Sequence, residues 1–367
     1  MDLFTFAALA GGLVALVVGA DWLVRGASSV AARLGIAPIV IGLTVVAFGT
    51  SAPEMAVSVS GALGGNSDVA LGNVVGSNTF NILFILGISA IVGELTIEQR
   101  LLRFDIPVLI AVSVGSYLLA LNGMIGRVEG IVLFVGIILY TWWLLRSSRR
   151  PEPPAVQAEY SEAMERTEGR VAKAALPLQI GLVVAGLVLL VLGSRLLVSA
   201  ATEIASALGV SDLVIGLTVV AAGTSLPELA TSVLAAWRGE RDIAVGNVVG
   251  SNIFNLLAVL GASATIAPEG ISVKDEVLRL DGPVMLVATI VLLPICWNGF
   301  RIKRWEGGVL AAFYCAYVAW LIFEAGDAGV PETYRTMLMI VVPVALVAYG
   351  AAGAQGWRRH RAARGAA

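Results

Sequence analysis

The sequence predicts an all-α multi-pass membrane protein, built from two inverted five-helix repeats plus an eleventh, C-terminal transmembrane helix. Three observations predict it. The 367 residues are 58% hydrophobic and only 14% charged, too apolar a chain to be solvated on all sides. Apolar stretches of spanning length recur from one end to the other. Two polar-apolar motifs occur twice at one fixed offset, on either side of a single long polar stretch.

A spanning helix needs about 20 largely apolar residues. Such stretches lie at roughly 3–24, 38–63, 69–93, 105–121, 125–146, 177–200, 213–237, 243–267, 281–298, 305–324 and 334–356. The first begins at once, with no basic leader ahead of it, so it is expected to stay as a helix rather than be cleaved. The polar stretch 147–175 opens RSSRRPEPP, and its prolines and charges mark a linker. Its glutamates lack the alternating acids around a glycine that a calcium loop requires. The chain therefore divides into a first repeat (1–146), a cytoplasmic linker (147–175), a second repeat (176–324) and an extra helix with a basic tail (325–367).

The segment GLTVVAFGTSAPE (42–54) returns as GLTVVAAGTSLPE (216–228), and GNVVGSNTFN (72–81) as GNVVGSNIFN (246–255). Both pairs are offset by 174 residues, and Asp105-Ile106-Pro107 matches Asp281-Gly282-Pro283 two residues out of step. Chance does not place both motifs twice at one offset. Five spans precede the linker, so the second repeat enters the membrane from the opposite face, as in many secondary transporters. Lys and Arg in short loops set the orientation. With the N-terminus outside, Arg25, Arg33, Arg100, Arg103, Arg146, Arg149, Arg150, Arg238, Arg241, Arg301, Lys303 and Arg304 fall inside, against Arg127, Lys274, Arg279 and Arg335 outside. The linker and the basic tail are then cytoplasmic, in a plasma membrane.

Glu54 and Glu228 lie deep in the second and seventh spans. An acid at a helix centre costs roughly 2.5–3.5 kcal/mol on insertion scales, so a pair needs a compensating charge. Arg195 is the only basic residue inside a span away from its last three residues at either end, and the repeat matches it with Asp21, near the opposite face. A bound cation is the natural counter-charge. Thr50 and Ser51 stand one turn before Glu54, and Thr224 and Ser225 before Glu228. Hydroxyls, carboxylates, amide oxygens and carbonyls are what Ca2+ and Na+ accept. Pro53 and Pro227 should kink their helices and free carbonyls near Ala47–Gly49 and Ala221–Gly223. Asn73, Ser77 and Asn81 share one helix face, repeated by Asn247, Ser251 and Asn255. For Ser77, Asn81, Ser251 and Asn255, interhelical hydrogen bonding worth about 0.6 kcal/mol each competes with ligation. For Asn73, Asn78, Asn247 and Asn252, packing or capping is an equal alternative. Gly72, Gly76, Gly246 and Gly250 leave room for close helix packing.

GTSAPE with GNVVGSNTFN, and GTSLPE with GNVVGSNIFN, resemble the two alpha repeats of the calcium/cation antiporter superfamily, and most closely its prokaryotic sodium/calcium exchanger branch. The likeness in span count and order covers about residues 1–324; the eleventh helix and tail lie outside it. The resemblance implies alternating access, with the first and sixth spans sliding against a core of spans two, three, seven and eight. It implies ligands at Ala47 (carbonyl), Thr50, Ser51, Glu54, Ser77 and Asn81, and at Ala221 (carbonyl), Thr224, Ser225, Glu228, Ser251 and Asn255. Some relatives, potassium-dependent ones among them, carry aspartate where this chain has Asn255, and the neutral amide resembles the potassium-independent form. The expected function is Na+/Ca2+ antiport with calcium extrusion; proton- or potassium-coupled antiport, and after them a cation channel, are the alternatives.

Other classes fit poorly. The net charge of −2 offers no field for nucleic acid, and the single histidine, His360, lies in the basic tail. Cys296 and Cys315 lack metal-ligand spacing and read as small core residues. A hydrolase built on Ser51 and Glu54 would have no use for a complete duplication, so neither an enzyme nor a cofactor is expected. The expected partners are Ca2+, Na+ and the lipid bilayer, and the expected working unit is a monomer.

Overall fold

The computed structural model describes residues 3–147, 176–208, 221–326 and 329–365. The predicted linker, 147–175, lies outside the described residues except for its first. So does the beginning of the predicted seventh span.

The described chain is a bundle of helices: α1 (Leu3–Leu34), α2 (Pro38–Thr50), α3 (Ala52–Leu63), α4 (Asp68–Val92), α5 (Leu101–Ala120), α6 (Arg127–Ser147), α7 (Leu176–Ala207), α8 (Leu226–Arg238), α9 (Arg241–Ile266), α10 (Val277–Trp297), α11 (Arg304–Ala325) and α12 (Glu332–Gly365). Among the described residues nine helices are long and apolar enough to cross a membrane, and α2 with α3 form one further, bent span. The seventh predicted span is described from Ala221, as a short turn Ala221–Gly223 followed by α8. α4 and α9 carry the two GNVVGSN motifs and lie at the centre; the spanning window of α9 is fully buried.

Several predicted boundaries move. α1 runs to Leu34 rather than 24, because Asp21 is neutralised by Arg25 at 3.0 Å and by Arg238 and does not end the helix. α7 reaches Ala207 rather than 200. α5 starts at Leu101, not 105, through a wide π-turn over Leu101–Asp105. The basic tail continues α12 as helix to Gly365. Cys296 is buried as expected, but Cys315 is exposed on the outer side of α11 and is not a core residue.

Two short antiparallel ribbons connect α5 with α10 and are consistent with the expected inversion. β1 (Leu95–Thr96), after α4, pairs with β4 (Arg301–Ile302), after α10. β2 (Met124–Ile125), after α5, pairs with β3 (Ile271–Ser272), after α9. Thus α5 runs from the first ribbon to the second, while its repeat counterpart α10 runs from the second to the first. α1 and α7 are likewise antiparallel, with glycines at seven-residue steps. A Cβ on Gly19 would lie 2.8 Å from the Gly186 carbonyl oxygen, and one on Gly12 would lie 2.9 Å from that of Gly193. Only hydrogen fits between backbones this close.

The same contact fixes the centre of the bundle. A Cβ on Gly250 would stand 2.7 Å from Leu43 Cα and 2.8 Å from its carbonyl oxygen, and one on Gly246 would stand 2.9 Å from the Ile39 carbonyl. The matching glycines Gly72 and Gly76 have no such neighbour among the described residues. The Asp105 match also acquires a partner: Tyr140 donates to Asp105 at 2.9 Å, and Tyr317 to Asp281 at 2.6 Å. α12 seats Gly353 and Gly356 against Pro294 and Trp297 of α10, and Tyr349 stacks on Trp305 at 6.3 Å between ring centres.

Gly250→Val should overpack the α2–α9 contact and destabilise the protein by roughly 1–3 kcal/mol, as overpacked sites do. Gly115→Ala, with nothing within 4 Å of the new methyl among the described residues, should be nearly neutral. Thermal unfolding in detergent, read by intrinsic fluorescence, checks both; equal melting points for the two variants would contradict the packing.

Candidate functional site

The repeated GTS-x-PE segments place a helix break at depth. α2 ends at Thr50 and α3 begins at Ala52, bent by 46° at Ser51. The second repeat breaks at Ser225, between Ala221–Gly223 and α8. Pro53 and Pro227 fall in the first turn of the new helices, where a missing N–H costs nothing. Glu54 and Glu228 are therefore the acids of two helix first turns, both fully buried. The N-terminal ends of these half-helices present partial positive charge and free N–H groups toward the carboxylates.

The breaks cross-connect the repeats. Ser225 donates to Glu54 Oε1 at 2.7 Å, and Ser51 donates to Glu228 Oε1 at 2.9 Å. Ser225 also shares a 3.1 Å hydrogen bond with Ser77. Each acid is thus held by the serine of the opposite repeat, which brings the two carboxylates to one centre. Their other oxygens, Glu54 Oε2 and Glu228 Oε2, are buried and have no hydrogen-bond donor among the described residues. The same holds for Asn81 Oδ1, Asn255 Oδ1 and Ser251 Oγ. A buried acceptor without a donor is costly, and a site where five such oxygens stand on paired half-helices and the two helices beside them is suited to a cation.

The remaining predicted residues divide. Thr50 donates to Asn247 Oδ1 at 3.1 Å, and Thr224 to Asn73 Oδ1 at 3.2 Å, again across the repeats. Asn73 and Asn247 spend their amides on Ser58 and Ser232, both at 2.9 Å, and on the carbonyls of Glu54 and Glu228 at 3.2 and 3.4 Å. They tie each new helix to its neighbour. The Ala47 carbonyl was expected to be freed by the kink; it accepts from the Ser51 N–H at 3.0 Å and lies 3.4 Å from the Thr50 hydroxyl. The break comes at Ser51, one turn beyond Ala47, so that bond survives. Ala221 starts its short turn at the matching position.

Sequence reasoning missed Ser58 and Ser232. Their signal was available, since the two serines stand at the same 174-residue offset as the motifs. It also missed the π-turns Asn81–Ile85 and Asn255–Val259, which begin at the two terminal asparagines. Such turns re-aim side chains and collect at functional sites. Among the described residues no three His, Cys, Asp or Glu side chains cluster. The donors are two carboxylates and neutral oxygens, the chemistry of hard cations such as Na+ and Ca2+.

Comparison with known proteins agrees. The family model described as sodium/calcium exchanger protein matches residues 4–146 and 178–323. The putative antiporter CaxA of Alkalimonas amylolytica is 40% identical over 319 residues, covering 86% of this chain and 97% of its own. The sodium/calcium exchanger MaX1 of Methanosarcina acetivorans is 35% identical, over 85% of this chain and 97% of its own. The inner membrane protein YrbG of Escherichia coli is 36% identical, over 87% and 96%. Among solved structures, the sodium-calcium exchanger NCX_Mj aligns with a TM-score of 0.74 at 28% identity, covering 88% of this chain and all of that one.

Ser225 serves Glu54 and Ser77 together, whereas Ser51 serves Glu228 alone. Ser225→Ala should therefore lower the melting point in detergent more than Ser51→Ala, each lost buried hydrogen bond being worth roughly 0.5–1.5 kcal/mol. The reverse order would contradict this bonding pattern.

Proposed function

The chain belongs to the sodium/calcium exchanger family, and we propose that it exchanges Na+ for Ca2+ across a plasma membrane by alternating access, extruding calcium. The observation that carries this reading is the pair Glu54 and Glu228. Both are fully buried, each is held at one oxygen by the opposite repeat's serine, and the second oxygen of each has no donor among the described residues. The basic residues at the rim are engaged elsewhere, Arg25 and Arg238 by Asp21.

Two carboxylates balance one Ca2+ or two Na+. The proposed ligands are Glu54, Glu228, Thr50, Ser51, Ser77, Asn81, Thr224, Ser225, Ser251, Asn255 and the carbonyls of Ala47 and Ala221. Shared ligands force exchange: the two ions compete for the same carboxylates, and the empty site carries a double negative charge that is costly to occlude. A third Na+ among the neutral oxygens would make transport electrogenic, driven at about 2.3 kcal/mol per charge per 100 mV. Asn255, neutral where some relatives, potassium-dependent ones among them, carry an acid, supports potassium independence. The Lys and Arg distribution supports an external N-terminus with linker and tail in the cytoplasm. The close-packed glycine contact of α1 with α7 supports their moving as one body against the rest, and the antiparallel matching of α5 with α10 supports two five-helix domains, 1–146 and 176–324. All proposed ligands lie on one chain, which supports a monomer as the working unit.

Radiolabelled calcium uptake into sodium-loaded proteoliposomes tests the reading. Uptake should require the outward sodium gradient, respond to membrane voltage and ignore potassium. Uptake that follows a pH gradient and ignores sodium would assign proton coupling instead, and flux without any counter-ion would assign a channel. Glu54→Gln and Glu228→Gln should each reduce uptake to background while leaving the protein folded; full activity in either removes that residue from the site.

A further inference from the structure

A primary amide is two-faced. Its oxygen binds a cation, its NH2 repels one, and a half-turn of the side chain exchanges them. Asn81 and Asn255, two of the proposed ligands, therefore need something to hold the oxygen inward. The neighbouring asparagines of the same motifs supply it. Asn255 donates its Nδ2 to Asn78 Oδ1 at 3.2 Å, and Asn81 donates its Nδ2 to Asn252 Oδ1 at 3.0 Å. Both bonds cross from α4 to α9. The orientation of Asn78 is itself fixed, because its Nδ2 donates to the backbone carbonyl of Asn252 at 3.3 Å, and a carbonyl can only accept. All four side chains are buried, so water does not compete. With their NH2 groups committed, Asn81 and Asn255 are left with an Oδ1 each that has no partner among the described residues.

We propose that Asn78 and Asn252 are positioning residues that lock the amides of Asn81 and Asn255 oxygen-inward, and so set the affinity of the site for cations without touching the ion. This rests on the exchange reading above. It also accounts for the repetition of both asparagines in GNVVGSN: each repeat supplies the lock for the other repeat's ligand.

A double-mutant cycle tests it. Asn252→Leu removes the acceptor that holds Asn81 and should raise the apparent KM for Ca2+ in sodium-driven uptake about 10- to 100-fold, the usual cost of losing an outer partner of a metal ligand. A carboxylate presents oxygen whichever way it turns, so in the N81D background the same N252L change should alter KM by less than about twofold. N78L measured with N255D reads the other arm. Equal losses in both backgrounds would mean that the pair acts by packing, and would overturn the role. Failure of both leucine variants to yield folded protein would do the same. Wild-type uptake is measured first: its independence of sodium would overturn the exchange reading, and this one with it, whereas additive losses in an exchanging protein overturn this one alone.

Discussion

The structure depends on two acids held together inside an apolar bundle. Glu54 and Glu228 are fully buried, and like charges so placed repel. Among the described residues no cationic side chain bonds to them; their side-chain partners are Ser225 and Ser51. The helix breaks at Ser51 and Ser225 follow from this need. An unbroken helix would spend its N–H groups on its own carbonyls, whereas a half-helix start turns them toward an acid in its first turn. The central contact at Gly246 and Gly250 follows as well, because α2, which leads into the break before Glu54, must approach α9 closely for the oxygens to converge.

Reciprocity is the second constraint. Ser51 serves Glu228 and Ser225 serves Glu54; Thr50 serves Asn247 and Thr224 serves Asn73. Neither repeat could assemble its own half of the site, which explains why the duplicated segments remain so alike while the flanking helices have diverged. Divergence shows where reciprocity ends: Asp21 is matched by Arg195, and Ile106 by Gly282, where the Tyr117 ring packs instead.

Much of this was legible in the sequence because it is written twice. The duplicated GTS-x-PE and GNVVGSN segments named the two acids, their hydroxyl neighbours and the asparagine face, and the odd number of spans before the linker implied the inversion with which the two ribbons are consistent. What stayed illegible lies in contacts between segments far apart in the chain. Nothing in the local pattern says that Ser51 bonds Glu228 rather than Glu54, or that Asn78 meets Asn255. The π-turns at Asn81 and Asn255 insert a residue into a ladder without any sequence signature of their own. Helix ends were misplaced where a charge, as at Asp21, is paired within the fold rather than hydrated. The break at Ser51 came one turn later than proline alone suggested, so the Ala47 carbonyl keeps its backbone bond.

The two small ribbons carry a mechanical consequence. Ile97 donates to Phe300 at 2.8 Å and Val273 to Gly123 at 2.9 Å, so each ribbon is extended beyond its two paired residues. Set at the two ends of α5 and α10, they act as crosspieces of a frame and oppose any spreading of those helices at either end. Among the described residues no ribbon fastens the glycine-lined pair α1 and α7, so a deformation of the bundle would meet least resistance there. Stiffness at both rims would thus channel deformation into a single moving beam.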